Sequence, residues 1–222
     1  MYRAVIFDVD GTLVDSNDAH ARAWVDAFGE SGRSVPLERV RPLIGMGGDK
    51  LLAAAAGISR DSDEGRLIAR RRGEIFQRRY FSSVRPTPGA AELVTWLRDE
   101  RMTVVVATSA EPEELHDLLR IAGVLKLIED AASSRDAPRS KPDPDIVHAA
   151  LVRTGCLPQD AVMIGDTPYD IEAARRSGIG TIALRSGGWP DDALRGAIAI
   201  YDNPADLLEH YALSPFKRPL PV

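Results

Sequence analysis

Short apolar runs alternate with amphipathic stretches along the chain from residue 86 onward. Such runs are typical of strands that are buried on both faces, and the stretches between them have the spacing of helices that cover a sheet. The pattern therefore predicts an α/β fold with a doubly wound parallel sheet. The predicted strands are residues 103–108, 161–165, 180–184 and 197–201, with a weaker one at 127–131, and the predicted helices are residues 89–100, 113–122, 145–154 and 169–177.

A further apolar run, residues 4–7, predicts the first strand, but no second strand follows it closely. Residues 17–80 have helical periodicity instead, and Trp24 is expected in the core of these helices. A helical insert thus interrupts the α/β domain after its first strand. We predict that residues 1–15 and 85–222 form the α/β core and that residues 16–84 form a small helical cap.

Two carboxylates, Asp8 and Asp10, follow the first strand directly, and Gly11 permits a sharp turn after them. Residues two apart on a strand share a face, and open α/β sheets bind ligands at the carboxyl ends of their strands. An ordinary Asp-Gly turn is the structural alternative. We interpret the pair as chemical, because a turn rarely needs two aspartates behind four apolar residues.

Two further segments carry groups that suit a phosphate. Thr108 and Ser109 end a predicted strand, where a hydroxyl and the backbone N–H groups of a helix start can hold phosphate oxygens. Lys141 stands before Pro142, which defines its position, and its ammonium can neutralise a carboxylate or hold a phosphate. A helix cap and an exposed loop lysine are the alternatives when each segment is taken alone.

The last segment places Asp166 and Asp170 after the strand at 161–165. A spacing of four puts both carboxylates on one side of a first helical turn, although Asp170 alone could be a charge favoured by the helix dipole. Four aspartates around a phosphate would repel strongly, so a divalent cation and Lys141 are needed to make the cluster tolerable. Oxygen ligands at this density suit Mg²⁺, and we predict a metal site formed by Asp8, Asp10, Asp166 and Asp170.

Together these segments resemble the motifs of the haloacid dehalogenase superfamily of phosphohydrolases, over essentially the whole chain. The matching segments are residues 8–12, Thr108 or Ser109, Lys141, and residues 165–170. The insert is similar to the family's small helical cap, and the nearest subgroup resembles β-phosphoglucomutase and phosphoglycolate phosphatase. The resemblance implies a magnesium-dependent phosphatase that acts on a small organic phosphate ester.

The resemblance also implies a role for each candidate residue. Asp8 would attack phosphorus and form an aspartyl-phosphate, and Asp10 would protonate the leaving oxygen and then activate water. Asp8, the backbone carbonyl of Asp10, and Asp166 would hold Mg²⁺, while Asp170 would orient metal-bound water. The transferring phosphoryl group would be held by Thr108 and Lys141, and Ser109 would add a backbone N–H.

Other activities remain open at this point. Asp10 decides against dehalogenase activity, because a halide leaving group needs no proton. A phosphosugar mutase is the enzymatic alternative: His20 and Trp24 are similar to the mutase branch, but residues 44–50 lack the arginine that mutases carry there, and only Lys50 could reach inward. His20 itself is expected to be structural. A non-catalytic binding module that retains the fold is the alternative from another class.

The composition limits the classes of partner that we expect the protein to bind. The chain has 28 Lys and Arg against 33 Asp and Glu, and its net charge of −5 argues against general nucleic-acid binding. No apolar run is long enough to cross a membrane, residues 1–7 are too short for a signal peptide, and the single cysteine, Cys156, fits a reducing compartment. We expect a cytoplasmic monomer or homodimer that acts on a small molecule, without nucleic-acid or membrane partners.

Two segments are expected at the surface. Six arginines lie between residues 66 and 79, and a solvated helix face is the expected reading, with a positive field near an anionic substrate as the alternative. Residues 214–221 are rich in proline and are expected to form a loose tail.

Overall fold

The computed structural model describes residues 1–217, and its centre is a six-stranded sheet in which all neighbouring strands are parallel. The strand order is β5-β4-β1-β6-β7-β8, and β2 and β3 form a separate antiparallel pair. The predicted α/β class is therefore confirmed. The strands are β1 (Ala4–Phe7), β2 (Val14–Asp15), β3 (Arg85–Pro86), β4 (Thr103–Ala107), β5 (Asp130–Ala132), β6 (Ala161–Gly165), β7 (Gly180–Leu184) and β8 (Ala199–Tyr201).

Alternate side chains of the central strand enter different layers of the core. Val5 and Phe7 of β1 join the larger apolar cluster, whereas Ala4 and Ile6 join a second cluster on the opposite face of the sheet. Because both faces are covered by helices, all four residues are fully buried. The helices are α1 (Asn17–Glu30), α2 (Leu37–Val40), α3 (Gly48–Ala56), α4 (Asp63–Ile75), α5 (Ala90–Asp99), α6 (Pro112–Ile121), α7 (Asp145–Thr154), α8 (Pro168–Arg176) and α9 (Pro204–Glu209).

Two of the predicted strands begin later in the structure than the sequence pattern indicates. The weak strand expected at 127–131 is β5, which begins only at Asp130, because Leu127 and Ile128 lie in a turn after α6 and pack on the core from there. The strand expected from residue 197 begins at Ala199. In both cases an apolar residue outside the sheet has the same sequence signal as one inside it.

Helices α1 to α4 fill the segment between β2 and β3. The β2–β3 pair aligns Val14 with Pro86 and Asp15 with Arg85, so the chain leaves and re-enters the α/β part side by side. Ser62 caps α4 by accepting the Gly65 N–H at 3.0 Å, and Gly57 ends α3 in the left-handed conformation. Helix α4 continues into a π-helical turn at Phe76–Tyr80. The predicted limits of the cap, residues 16 and 84, fall beside the β2–β3 pair.

The C-terminal segment is packed as far as residue 217. Phe216 is only 2% exposed, and its ring lies 5.9 Å from that of Tyr2 and 5.3 Å from that of Tyr211. The expectation of a loose tail was therefore wrong for residues 214–217, and its remainder lies outside the described residues. Among residues 1–217, no helix combines the length and apolarity that crossing a bilayer requires.

Candidate active site

The polar groups predicted from strand ends meet at one edge of the sheet. Strand β1 lies between β4 and β6, so Asp8 is flanked by Thr108 and Asp166. The backbone continues the sheet pattern into these residues: Asp8 N–H donates to the Ile164 carbonyl at 2.9 Å, and Thr108 N–H donates to the Ala132 carbonyl at 3.0 Å. The site is thus held by the sheet itself.

Three carboxylates cluster at this edge. One oxygen from each of Asp8, Asp166 and Asp170 lies within 4.8 Å of the others, and all three side chains are buried. Asp166 accepts hydrogen bonds from Thr12 Oγ1 at 3.1 Å and from Asn17 Nδ2 at 2.9 Å, both neutral donors. These contacts orient Asp166 without cancelling its charge.

Lys141 supplies the positive charge of the cluster. Its Nζ lies 2.5 Å from Asp8 Oδ1 and 2.7 Å from Asp170 Oδ1, and the residue is only 1% exposed. Burial alone would lower the pKa of Lys141, but Asp170 and Asp8 outweigh it and raise the pKa above its usual value. Within residues 1–217, Lys141 is the only cation paired with any of the three carboxylates.

One lysine does not balance three buried carboxylates. Burial, with a contribution from Asp170 and Asp10, raises the pKa of Asp8 to about 7 even though Lys141 opposes the rise. Burial and the charges of Asp170 and Asp8 likewise raise the pKa of Asp166 well above its usual value. Each carboxylate would therefore bind a proton or a cation more readily than an exposed aspartate does.

Asp170 caps helix α8 and is also one of the three clustered carboxylates. Its Oδ2 accepts from the Thr167 Oγ1 at 2.7 Å and from the Thr167 N–H at 3.0 Å, and its own N–H donates back to Thr167 Oγ1. This capping box starts α8, where Pro168 takes the first helical position. The two sequence alternatives for Asp170, a helix-start charge and a site residue, therefore coexist.

Glycine leaves the space around Asp166 open. Gly11 has a φ of +80°, and a Cβ built on it would lie 2.2 Å from Asp166 Oδ2. A Cβ on Gly187 would come within 1.8 Å of the same oxygen. No residue with a side chain fits at either position unless Asp166 moves.

The side chain of Asp10 is not one of the three clustered carboxylates. Its Oδ1 lies 2.5 Å from Ser16 Oγ and 2.9 Å from His20 Nε2. Burial would raise the pKa of Asp10, but His20 and Ser16 outweigh it and hold the pKa below its usual value. The expectation that His20 is merely structural missed this contact, because nothing in the local pattern shows that the first turn of α1 passes over Asp10.

The predicted phosphate-binding hydroxyls differ in their partners. Thr108 Oγ1 accepts the Ala110 N–H at 3.1 Å and lines a small inner pocket with Asp8 and Asp10. The hydroxyl oxygen of Ser109 is buried in the same pocket wall, and it has no hydrogen-bond partner among the described residues. A buried hydroxyl of this kind is satisfied when a polar ligand occupies the pocket.

The arginine-rich segment is not uniformly solvated. Arg79 pairs with Asp26 at 2.9 Å on the cap surface, as expected of a solvated face. Arg72 instead lines the inner pocket, where its Nη1 lies 3.1 Å from Glu114 and its guanidinium carbon 5.4 Å from the Trp24 ring centre. Its Nε is buried and lacks a partner within residues 1–217. The sequence did not identify Arg72 or Glu114 as site residues.

Cap and core are also joined beside Lys141. Lys50 Nζ, at the start of α3, lies 2.6 Å from Asp143 Oδ2 and bonds the Ser140 carbonyl. Ser140 Oγ donates to Asp49 at 2.5 Å. The cap therefore contacts the loop on both sides of Lys141, at Ser140 and at Asp143. Lys50 points toward this core loop rather than toward the inner pocket.

The chain matches the family of haloacid dehalogenase-like hydrolases over residues 5–184. This span contains the strands β4 and β6, all of β1 except Ala4, and the site residues Asp8, Asp10, Thr108, Ser109, Lys141, Asp166 and Asp170. The chain therefore belongs to the haloacid dehalogenase-like hydrolase family, and the predicted resemblance is confirmed.

Named relatives agree with this assignment. The chain is 31% identical over 213 residues to a phosphoglycolate phosphatase of Pseudomonas putida, which covers 90% of this chain and 76% of the relative. It is 30% identical over 213 residues to the N-acetylmuramic acid 6-phosphate phosphatase of Pseudomonas aeruginosa, which covers 93% of each. Protein SUPPRESSOR OF QUENCHING 1 of Arabidopsis thaliana is 34% identical over 187 residues, but this chain spans only 18% of it. The two named phosphatases confirm the predicted enzyme class, a phosphoric monoester hydrolase.

Solved structures share the whole architecture. A hydrolase from Pseudomonas syringae has a TM-score of 0.88 at 29% identity and covers 95% of this chain and 98% of its own. A β-phosphoglucomutase from Clostridium difficile has a TM-score of 0.83 and covers 96% of each chain. The identity in the second case is 18%, so that likeness shows the fold alone.

Proposed function

We propose that this protein is a magnesium-dependent phosphatase that releases inorganic phosphate from a small organic phosphate monoester by way of a phosphorylated Asp8. The observation that carries the proposal is the charge imbalance at the sheet edge, where Asp8, Asp166 and Asp170 share one lysine. Two like charges 4 Å apart repel by about 4 kcal/mol at an effective dielectric of about 20. A divalent cation relieves that repulsion.

The residues present fit such a cation. Asp8, Asp166 and the backbone carbonyl of Asp10 would hold Mg²⁺, and Asp170 would orient a coordinated water. The glycines at 11 and 187 leave Asp166 Oδ2 unobstructed by any Cβ, which suits a close approach of a ligand. When bound, the metal would neutralise phosphoryl oxygens and so allow an anionic nucleophile to approach them.

Asp8 would act as the nucleophile, and Asp10 would act as the general acid and then as the general base. An oxygen of Asp8 bonds to phosphorus while the bond to the leaving oxygen breaks, and Asp10 gives that oxygen a proton. Water then attacks the phosphorylated Asp8, Asp10 accepts a proton from it, and phosphate and free Asp8 are formed. Because the pKa of Asp10 is lowered, its acid form needs a proton source, and His20 at 2.9 Å is the neighbour that can exchange one.

The remaining groups would hold the phosphoryl group in place. Lys141 already pairs with Asp8, and its ammonium would also stabilise the negative charge on the phosphoryl oxygens during transfer. Thr108 and Ser109 offer hydroxyl and backbone N–H groups from the adjacent strand end. Arg72 presents a buried Nε without a partner among the described residues to the same pocket. All four groups favour an anion beside Asp8.

A phosphosugar mutase is the alternative for the same first step. A mutase must return the phosphoryl group to a bound sugar, so its cap must grip a second phosphate while water is excluded. Lys50 is the cation of the cap loop, and its contacts with Asp143 and Ser140 direct it to the core. Arg72 does face the site, contrary to the expectation for its segment, but it is paired with Glu114. Hydrolysis is therefore the favoured outcome.

The test is phosphate release in ¹⁸O-labelled water, with Mg²⁺ and with a chelator. We expect Mg²⁺-dependent release from p-nitrophenyl phosphate and from a panel of phosphorylated metabolites, with label in the phosphate. Asp8→Asn should abolish it, whereas Asp192→Asn, at an exposed pair with Arg195, should not change it. Formation of glucose 6-phosphate from β-glucose 1-phosphate faster than phosphate release would establish the mutase. A folded protein without turnover on any ester would support the non-catalytic module.

The setting of the reaction follows from the same proposal. We place it in the cytoplasm, with a small phosphate ester as the partner, and with neither nucleic acid nor membrane required. The net charge of −5 supports a small-molecule partner over nucleic acid. A monomer and a homodimer are both compatible with a site built from one chain.

A further inference from the structure

A large cleft continues outward from the inner pocket. It has a volume of about 910 Å³ and lies between α4 of the cap and the core segments 109–114 and 134–140. Trp24, Arg72 and Ser109 line both spaces, so the cleft opens directly from the pocket that holds Asp8. The leaving group of an ester whose phosphate lies at Asp8 would extend into this cleft, which we call the outer cleft.

Most charges of the outer cleft are already neutralised within the protein. On the core side, Glu111 and Glu113 both pair with Arg135, and Glu114 pairs with Arg72. Further pairs join Arg139 to Asp145 and Arg66 to Asp63.

Two arginines on the cap side are the exception. Arg60 and Arg70 line the outer cleft, and neither side chain makes a hydrogen bond or ion pair with the rest of residues 1–217. Two acidic lining residues, Asp49 and Asp61, also lack a cation partner within residues 1–217, although Asp49 accepts a hydrogen bond from Ser140. Two guanidinium groups that have no partner in the described part of the protein therefore line the cleft, and each can bind an anionic group of the ligand.

The wall beside Arg70 is open at Gly73. Gly73 lies one turn along α4 from Arg70, and a Cβ built on it would meet no atom within 4 Å. Glycine inside a helix costs about 1 kcal/mol relative to alanine, and no close packing accounts for it here. The space it leaves belongs to the outer cleft. A leaving group of sugar size has room at this point.

We propose that the substrate is a phosphate ester of a sugar-sized alcohol that carries a second anionic group, and that Arg60 and Arg70 bind this group. The inference rests on the proposed phosphatase function. Arg60 and Arg70 line the outer cleft but not the inner pocket that holds Asp8, so we expect a two-carbon acid such as phosphoglycolate to be too short to reach them. Charge and length together define the substrate class, and the second anion is a carboxylate or a phosphate.

Two matched pairs of esters test the charge requirement, with kcat/KM measured in Mg²⁺. N-acetylmuramic acid 6-phosphate differs from N-acetylglucosamine 6-phosphate by a carboxylate-bearing ether, and fructose 1,6-bisphosphate differs from fructose 1-phosphate by a second phosphate. We expect the more acidic member of at least one pair to be preferred by about tenfold or more. The pair that shows the preference identifies the anion as carboxylate or phosphate.

Variants then assign the preference to residues. The double variant Arg60→Gln/Arg70→Gln should reduce the ratio of kcat/KM between the two members by about tenfold. Arg78→Gln is the matched control, because Arg78 is an exposed cap arginine that does not line the cleft. Equal use of both members in both pairs, or a preference that survives the double variant, would overturn the inference.

The length requirement has its own test. Gly73→Gln adds a side chain at the wall of the outer cleft, where a Cβ meets no atom within 4 Å, and it should lower kcat/KM more for the sugar phosphates than for phosphoglycolate. Gly29→Gln is the control, since Gly29 is a helical glycine with equally open surroundings on an exposed part of α1. An equal loss on long and short esters would contradict the proposed length.

Failure of the proposed function would look different. If p-nitrophenyl phosphate, phosphoglycolate and all four sugar phosphates are left intact in Mg²⁺ by a folded protein, then the phosphatase proposal fails and this inference falls with it. If the esters are hydrolysed without regard to charge, only the inference about Arg60 and Arg70 is overturned.

Discussion

Removal of the divalent cation should destabilise the folded protein, and the loss should grow as the pH rises from 5 to 8. The pKa of Asp8 is raised from 3.8 to about 7, so the metal-free folded state holds a proton that the unfolded chain releases near pH 4. A carboxylate with a raised pKa loses stabilisation as the pH rises through that window, and the loss ends above pH 7. Asp166 shifts in the same direction.

The magnitude follows from the shift of Asp8. At about 1.4 kcal/mol per pH unit, this one group should lower the free energy of unfolding by about 2–3 kcal/mol between pH 5 and pH 8. Lys141 does not contribute to the change in the free energy of unfolding between pH 5 and pH 8, because its raised pKa keeps it charged in the folded state and it is also charged in the unfolded state. Asp10 has a lowered pKa, so the stability it contributes is already complete above about pH 5.

The assay is urea unfolding at pH 5 and pH 8, first with a chelator and then with excess Mg²⁺. Mg²⁺ at about 100 times its Kd should restore about 2.7 kcal/mol at pH 8, and less at pH 5, where protons compete for the same carboxylates. Asp8→Asn should remove about 2–3 kcal/mol of the metal-free pH dependence and should make the chelated protein more stable than wild type at pH 8.

Asp192→Asn is the control for this experiment, because that carboxylate is about 80% exposed and pairs only with Arg195. It should leave the pH dependence as it is in the wild type. Two results would refute the reasoning. The first is that, with the chelator, the wild type loses no more stability between pH 5 and pH 8 than Asp8→Asn does. The second is that Mg²⁺ stabilises the two proteins equally.

Three further predictions concern activity and cap closure. Asp166→Ala should raise the Mg²⁺ concentration for half-maximal activity at least tenfold, and Ca²⁺ should replace Mg²⁺ poorly in the wild type; an unchanged metal titration in the variant would remove Asp166 from the ligand set. Asp10→Asn should slow hydrolysis of an alkyl phosphate by about a hundredfold or more. It should slow phosphorylation of the enzyme by p-nitrophenyl phosphate less, because nitrophenolate leaves without a proton. Equal losses on the two esters, measured by stopped flow, would contradict the acid role of Asp10. Lys50→Met should loosen the cap and increase protease cleavage at residues 81–88, whereas Arg175→Met, at an exposed pair with Glu172, should not; identical cleavage patterns would show that Lys50 does not hold the cap.

The sheet and the edge that carries the candidate site could be predicted because local patterns encode them. A buried strand must be apolar and short, so β1, β4, β6 and β7 are visible as runs in the sequence. A polar residue directly after such a run lies at the carboxyl edge of a parallel sheet, which is why Asp8, Thr108 and Asp166 were placed correctly relative to their strands. Strand limits were less certain, as β5 shows, because packing outside the sheet also needs apolar residues.

The pairing of charges across the site needed the structure. The sequence indicates that Lys141 could neutralise a carboxylate, but the loop that carries it determines which ones, and here they are Asp8 and Asp170. Likewise, a sequence position gives no sign that Asp166 would be held by Asn17 rather than left to solvent. These partners are remote in sequence and are brought together only by the crossing of separate elements.

By itself, the sequence determined the α/β class, the helical insert and the order of the polar strand ends, because each depends on residues that are neighbours in the chain. The tertiary structure decided which cap residues meet the site. His20 reaches Asp10, Arg72 reaches Glu114, and Lys50 reaches Asp143, and each contact depends on how the cap helices lie over the core. The same packing leaves Arg60 and Arg70 unpaired within the described chain, because unpaired charge is a property of the surroundings and not of the residue.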